Sequence, residues 1–303
     1  MASLQSVSFS SSFDFPNKST MFGSNLKLRG NELTRFRFWD HYPKIRPNLR
    51  LQASRISPEL TKALTKETKN NKEILIKEAS NGYNPFTEMK QRFLNFKKDK
   101  YLGNIEHYQN LAEDQTPKFT VIACADSRVC PSYVLGFQPG EAFMVRNVAN
   151  LVPPYESGPT ETKAALEFSV NALEVENILI VGHSRCGGIR ALIGMEDEEE
   201  DSRSFIKSWV SVGKKARAKT KSVTSNLGFD QQCRHCEKES INHSLMNLLT
   251  YPWIKERVAK GILSLHGGYY DFVHGTFEKW TLDYNHEVDD GHTCSIKCRE
   301  FWS

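Results

Sequence analysis

The side chains best suited to chemistry in this 303-residue chain stand in two short stretches, Cys124-Ala-Asp126-Ser-Arg128 and His183-Ser-Arg-Cys186. Two thiols and one imidazole make a good zinc set, soft sulfurs with a borderline nitrogen in tetrahedral geometry. Three protein ligands leave a fourth position open, which marks a catalytic rather than a structural site. Alone, His-x-x-Cys is weak evidence of metal, and a single Cys after a strand more often packs a core; their joint placement favours metal. A cation bearing two thiolates and a neutral imidazole carries little net charge, so it acidifies water less than an all-imidazole site. An acceptor that orients the nucleophile then gains importance. Asp126 stands two residues past Cys124 and Arg128 two further on. A bidentate Arg fixes such a carboxylate and keeps it off the metal. A turn-stabilising ion pair is the plainer reading of those two residues.

Both stretches follow strand-like runs. Lys118–Ala123 is short, apolar and partly β-branched, Glu141–Arg146 is another such run, and Asn177–Val181 a third, ending at Gly182. Thr160–Leu173 and Ile189–Met195 have helical spacing. Strands alternating with helices indicate an α/β fold with a central, mostly parallel sheet flanked by helices, and ligands bind where such strands end. Helices are expected around Ser204–Arg217 and His235–Leu249 and again after Pro252, with late strands at Ile262–His266 and Thr276–Leu282. Before the sheet, polar residues 57–81 and the apolar series Phe86, Met89, Phe93, Phe96 predict an N-terminal helical arm, packed on the body or on a partner subunit. Glu196–Asp201 is a run of six acids, read as a solvated loop.

Composition narrows the function. Residues 1–54 hold eight Lys/Arg against three Asp/Glu, so the +4 formal charge belongs to that segment and leaves the rest near −1. The body thus gives no support for nucleic-acid binding. No run approaches the roughly 18 apolar residues of a membrane span. The first 24 residues carry eight Ser, and the first basic residue is Lys18. That composition reads as a transit peptide, chloroplast with mitochondrion as the alternative, ending near Leu51-Gln52-Ala53-Ser54. The expected organisation is a transit peptide over 1–54, the helical arm over 55–117, and a zinc-binding α/β catalytic domain with a C-terminal tail over 118–303. Seven cysteines without a secretory signal argue against a disulfide framework. Cys233-Arg-His-Cys236 has zinc or redox spacing, yet no second pair completes a tetrahedral site, and a structural helix start is preferred. Cys294 and Cys298 are expected as free thiols in a polar tail.

Larger segments carry a resemblance. Cys124–Pro131, Phe137–Phe143, Arg146–Asn150, Gly182–Gly188, Cys236-Glu-Lys-Glu and His266–Phe272 are similar, in order and spacing, to the plant β-carbonic anhydrases, over roughly residues 84–282. The resemblance implies that family's fold and reversible hydration of carbon dioxide to bicarbonate by a zinc-bound hydroxide, with one Zn²⁺ per subunit. It implies zinc ligands at Cys124, His183 and Cys186, the Asp126–Arg128 dyad, and substrate contacts at Gln115, Phe143, Val148, Phe168 and the Gly187 backbone. It further implies a homo-oligomer built from dimers, with the arm on the neighbour, and the form of the site that stays open. Phe168 stands where several plant relatives have Tyr, and Ala172 where some have a His, so the proton-transfer group is unassigned. A zinc hydrolase of another small carbonyl-type substrate and a noncatalytic zinc scaffold are the competing readings.

Overall fold

Cys124 and His183 end up side by side because they are the last residues of two adjacent, buried parallel strands, β1 (Phe119–Cys124) and β3 (Asn177–His183). Their apolar runs are buried on both faces, as central strands of a parallel sheet require. The computed structural model describes residues 84–196, 204–285 and 293–303. The expected transit segment, the first part of the expected arm and most of the acidic run lie outside them.

The sheet has the order β2-β1-β3-β4-β5-β6. Strand β2 (Ala142–Asn147) pairs parallel with β1, β3 pairs parallel with β4 (Ser264–Asp271), and β5 (Thr276–Asn285) and β6 (Thr293–Trp302) close one side antiparallel. The main core lies between the sheet and α8 (Phe229–Leu248), where Ile122, Ile178, Ile180, Ile241, Leu245 and Trp280 pack. A second cluster under the strand ends joins Cys124, Val129, Ala149, Ile189, Leu192 and Val210.

The remaining helices correct several expected boundaries. The arm is α1 (Pro85–Phe96), opened by Asn84 accepting from the Phe86 N–H, then a widened turn and α2 (Ile105–Glu113). A one-turn helix α3 (Pro131–Val134) follows β1, and α4 (Glu161–Glu167) starts on Thr160, whose hydroxyl caps the Lys163 N–H. Helix α5 (Gly187–Ile193) follows β3. The single helix expected over 204–217 is two, α6 (Phe205–Val210) and α7 (Lys214–Val223), broken at Ser211–Gly213, where a Cβ on Gly213 would strike Leu192. Helix α8 begins six residues before His235, because Gly228 starts it and the Gln231 side chain accepts from the Gly228 N–H. Cys233 and Cys236 are therefore inside a helix and buried, not at its start. Helix α9 (Pro252–Ala259) has proline in its first turn. The largest correction is β6: the expected polar tail is a ten-residue strand on β5.

Candidate metal centre

The site is built from what hangs off β1 and β3. Cys124 ends β1, His183 ends β3, and Cys186 precedes α5 at the end of a three-residue turn. All three are buried, and their ligand atoms lie within 4.8 Å of one another. The two sulfurs are 3.9 Å apart. Two thiolates on one tetrahedral zinc at about 2.3 Å stand about 3.8 Å apart, so this spacing fits. His183 Nδ1–H donates to the Ser184 carbonyl at 2.9 Å, which leaves Nε2 as the ring atom available to a metal. That Nε2 is buried and makes no hydrogen bond among the described residues, an orphan that a cation would satisfy.

Electrostatics points the same way. The hydrogen bond from Cys186 draws the Cys124 thiol down, and the Cys124 sulfur together with burial pushes the Cys186 thiol up. Burial pulls His183 down, but the neighbouring Cys124 thiolate outweighs it and the imidazole is raised. Without a cation the pair thus keeps one proton; a divalent ion is what lets both sulfurs ionise together. The donor set fits a zinc-type ion.

Asp126 and Arg128 form the expected clamp. Arg128 Nε donates to Oδ1 at 2.9 Å and a terminal nitrogen to Oδ2 at 2.6 Å, while the Arg128 N–H also donates to Oδ1 at 2.9 Å. These bonds from Arg128 hold the Asp126 carboxyl well below the usual carboxylate range. Arg128 also reaches the Arg185 carbonyl at 3.3 Å and lies over the Phe272 ring, and His183 stacks on the same ring.

Val148 sits beside the centre. The register pairs Cys124 with Asn147, so Val148 follows directly, and Trp209 Nε1 donates to its carbonyl at 2.7 Å. A Cβ on Gly188 would come within 2.7 Å of Val148 Cγ1 and 2.9 Å of Ala149 Cβ, so the second glycine lets α5 approach this turn. Gly187, by contrast, has open space around it. Phe143 pairs with Thr120, four residues short of Cys124, hence about 13 Å back along the strand, and its ring packs on Phe168 at 5.7 Å. Gln115 is exposed between α2 and β1, and no contact among the described residues ties it to the three ligands.

Three positioning groups escaped the sequence reading. Arg146 on β2 donates to the Cys124 carbonyl at 2.9 Å and the Asp126 carbonyl at 2.6 Å, stapling the ligand-bearing end of β1. Asn147 accepts from the Leu151 N–H and donates to the Leu151 carbonyl, closing the turn in which Ala149 and Asn150 take left-handed φ of 64° and 48°. Glu237 on α8 accepts from the Cys186 N–H. The Arg146-Asn147 pair was visible as a motif, but its role depends on strand register.

The family model described as carbonic anhydrase matches residues 119–277. "Beta carbonic anhydrase 5, chloroplastic" of Arabidopsis thaliana is 58% identical over 289 residues, 93% of this chain and 91% of the relative. "Beta carbonic anhydrase 6, mitochondrial" of the same plant is 52% identical over 229 residues, covering 76% and 78%. Among solved structures, the β-carbonic anhydrase CcaA aligns with a TM-score of 0.61 and 28% identity, over 64% of this chain and 87% of that one. One of two tetrameric β-carbonic anhydrases from Sordaria macrospora aligns at 0.58 and 26%, over 65% and 97%. With strand ends that gather two thiols and an imidazole, the chain belongs to the carbonic anhydrase family. Within it the chain is a β-class enzyme of the plant kind, and its reaction is the reversible hydration of carbon dioxide.

Proposed function

We propose that Cys124, His183 and Cys186 hold one Zn²⁺ per subunit and that the hydration reaction takes place there. The carrying observation is the convergence of three buried ligand atoms within 4.8 Å, one of them an otherwise orphaned imidazole nitrogen. When bound, zinc supplies Lewis acidity that makes water a nucleophile at neutral pH. Asp126, locked as an acceptor by Arg128, orients the attacking water and receives its hydrogen bond. Val148 lends an apolar wall that keeps bulk water from carbon dioxide. The Gly187 N–H, in the first turn of α5 where amides lack helical partners, stabilises charge developing on the bicarbonate oxygens.

Phe143, Phe168 and Gln115 complete the pocket from a second copy of the chain. The register that sets Phe143 about 13 Å from its own Cys124 supports this, as does Gln115 standing exposed. A homo-oligomer built from dimers follows. Helix α1 has no buried residue and exposes Phe86, Met89 and Phe93, a face suited to a second copy, and the Sordaria relatives are described as tetrameric. Residues 1–54 act as a transit peptide to the chloroplast, in keeping with the location given for the 58% identical relative; the mitochondrion is the alternative, as given for the 52% identical one.

Stopped-flow hydration of carbon dioxide by zinc-loaded protein tests the assignment. Rates well above buffer with one zinc per chain are expected; folded, zinc-replete protein with no rate above buffer overturns it. A zinc hydrolase of another small carbonyl-type substrate would give that second result with ester turnover retained, and a noncatalytic scaffold would give neither.

A further inference from the structure

Glu237 is 3% exposed, and both its carboxylate oxygens serve the scaffold of the metal centre. Oε1 accepts from the Cys186 N–H at 3.1 Å, and Oε2 accepts from the Tyr269 hydroxyl at 2.8 Å. No Lys or Arg pairs with it among the described residues. The next residue, Lys238, pairs with Glu278 on β5 and lies 4.8 Å over the Tyr269 ring. Burying an acid with no cationic partner is costly, and the cost is offset only through the bonds it makes.

Those bonds fall where the chain is strained. His183 and Cys186 are three residues apart, and the turn between them puts Arg185 in the left-handed region at φ 55°, which a residue other than glycine adopts only under outside support. Each residue of the turn has such support. The Ser184 N–H donates to the Tyr270 carbonyl on β4, the Arg185 carbonyl accepts from Arg128, and the Cys186 N–H is held by Glu237. The Cys186 amide precedes α5, so no helical carbonyl takes it. Glu237, 51 residues further along the chain, is the acceptor that this amide finds.

We propose that Glu237, braced by the Tyr269 hydroxyl, is a positioning residue for the metal: by holding the Cys186 amide it fixes the second sulfur at its spacing from Cys124. This rests on the zinc reading above. It touches neither metal nor substrate and acts through the turn that carries Cys186. The pair ties the ligand turn to α8 and β4, so that the sulfur is in place before the metal arrives.

The test compares Glu237→Ala, Glu237→Gln and Tyr269→Phe with the parent chain, by chelator competition for zinc, by the absorption spectrum of the cobalt(II)-substituted protein, and by the melting temperature of the metal-free form. Loss of an outer hydrogen bond to a ligand loop weakens metal binding about 10- to 100-fold, the loss expected for Glu237→Ala together with a shifted cobalt spectrum. Glu237→Gln restores affinity to within about threefold, since an amide oxygen still accepts from the Cys186 N–H. Tyr269→Phe falls between the two. Parent-like zinc affinity and cobalt spectrum in Glu237→Ala overturn the proposal, as does a Gln variant as impaired as Ala. Should the Ala variant fail to fold, Tyr269→Phe decides: weakened zinc with an unchanged metal-free melting temperature supports the proposal, and parent-like affinity overturns it. A parent chain that takes up no zinc defeats the zinc reading instead, whatever the variants do.

Discussion

The duties proposed for Asp126 and Cys186 are separable, and substitution distinguishes them. Cys186→Ser removes a soft donor from the proposed three-ligand site, so zinc and activity are expected to disappear together. Asp126→Ala leaves the three ligands intact, so metal analysis should return one zinc per chain while kcat falls on the order of 100-fold. Zinc loss in the Asp126 variant would contradict the orienting role. These residues were legible because each works within a few positions of its partner: the clamp spans two residues and the His–Cys turn three. Arg146 and Glu237 were not. Arg146 earns its place through the pairing of Cys124 with Asn147, and Glu237 through a helix packed back from 51 residues away, and spacing carries neither fact.

Among the elements, the approach of α5 to the Val148 turn is a contact with no room for a side chain. The Cβ of Gly188→Ala would meet Ala149 Cβ, which cannot rotate aside, so about 1–3 kcal/mol of stability should be lost in chemical unfolding. Strand β4 carries a pH dependence. His266 bonds Thr281 on β5 and Asn177 on β3, and burial, aided by Lys279, pulls its pKa down to about 4. The unfolded chain takes up that proton near pH 6.5 and the folded chain only near 4, so stability falls as pH drops through this window. By pH 5 the loss is about 2 kcal/mol, and urea unfolding of the metal-free protein should show it in the parent but not in His266→Asn. The first three strands were legible as apolar runs. The late strands were less so: β4 runs through Gly267 and Gly268, poor strand formers, and β6 is a charged decapeptide that is a strand only because β5 pairs with it.

For the whole molecule, the exposed face of α1 makes assembly testable. Met89→Glu with Phe93→Glu should lower the sedimenting mass and the hydration rate together, since Phe143 and Gln115 are proposed to serve the neighbouring site; an unchanged mass with full rate would remove the arm from the interface. Nothing in composition reports subunit number, so this level was legible only through family resemblance. The ligands' address in the sheet has one more consequence. Cys124 and His183 terminate two adjacent strands, each flanked on both sides within the sheet, and Cys186 is leashed to the longest helix among the described residues. Such a centre has no private hinge by which to fray. Turnover during gradual denaturation should therefore persist until the molecule melts as a unit, with activity and circular dichroism collapsing along one shared curve.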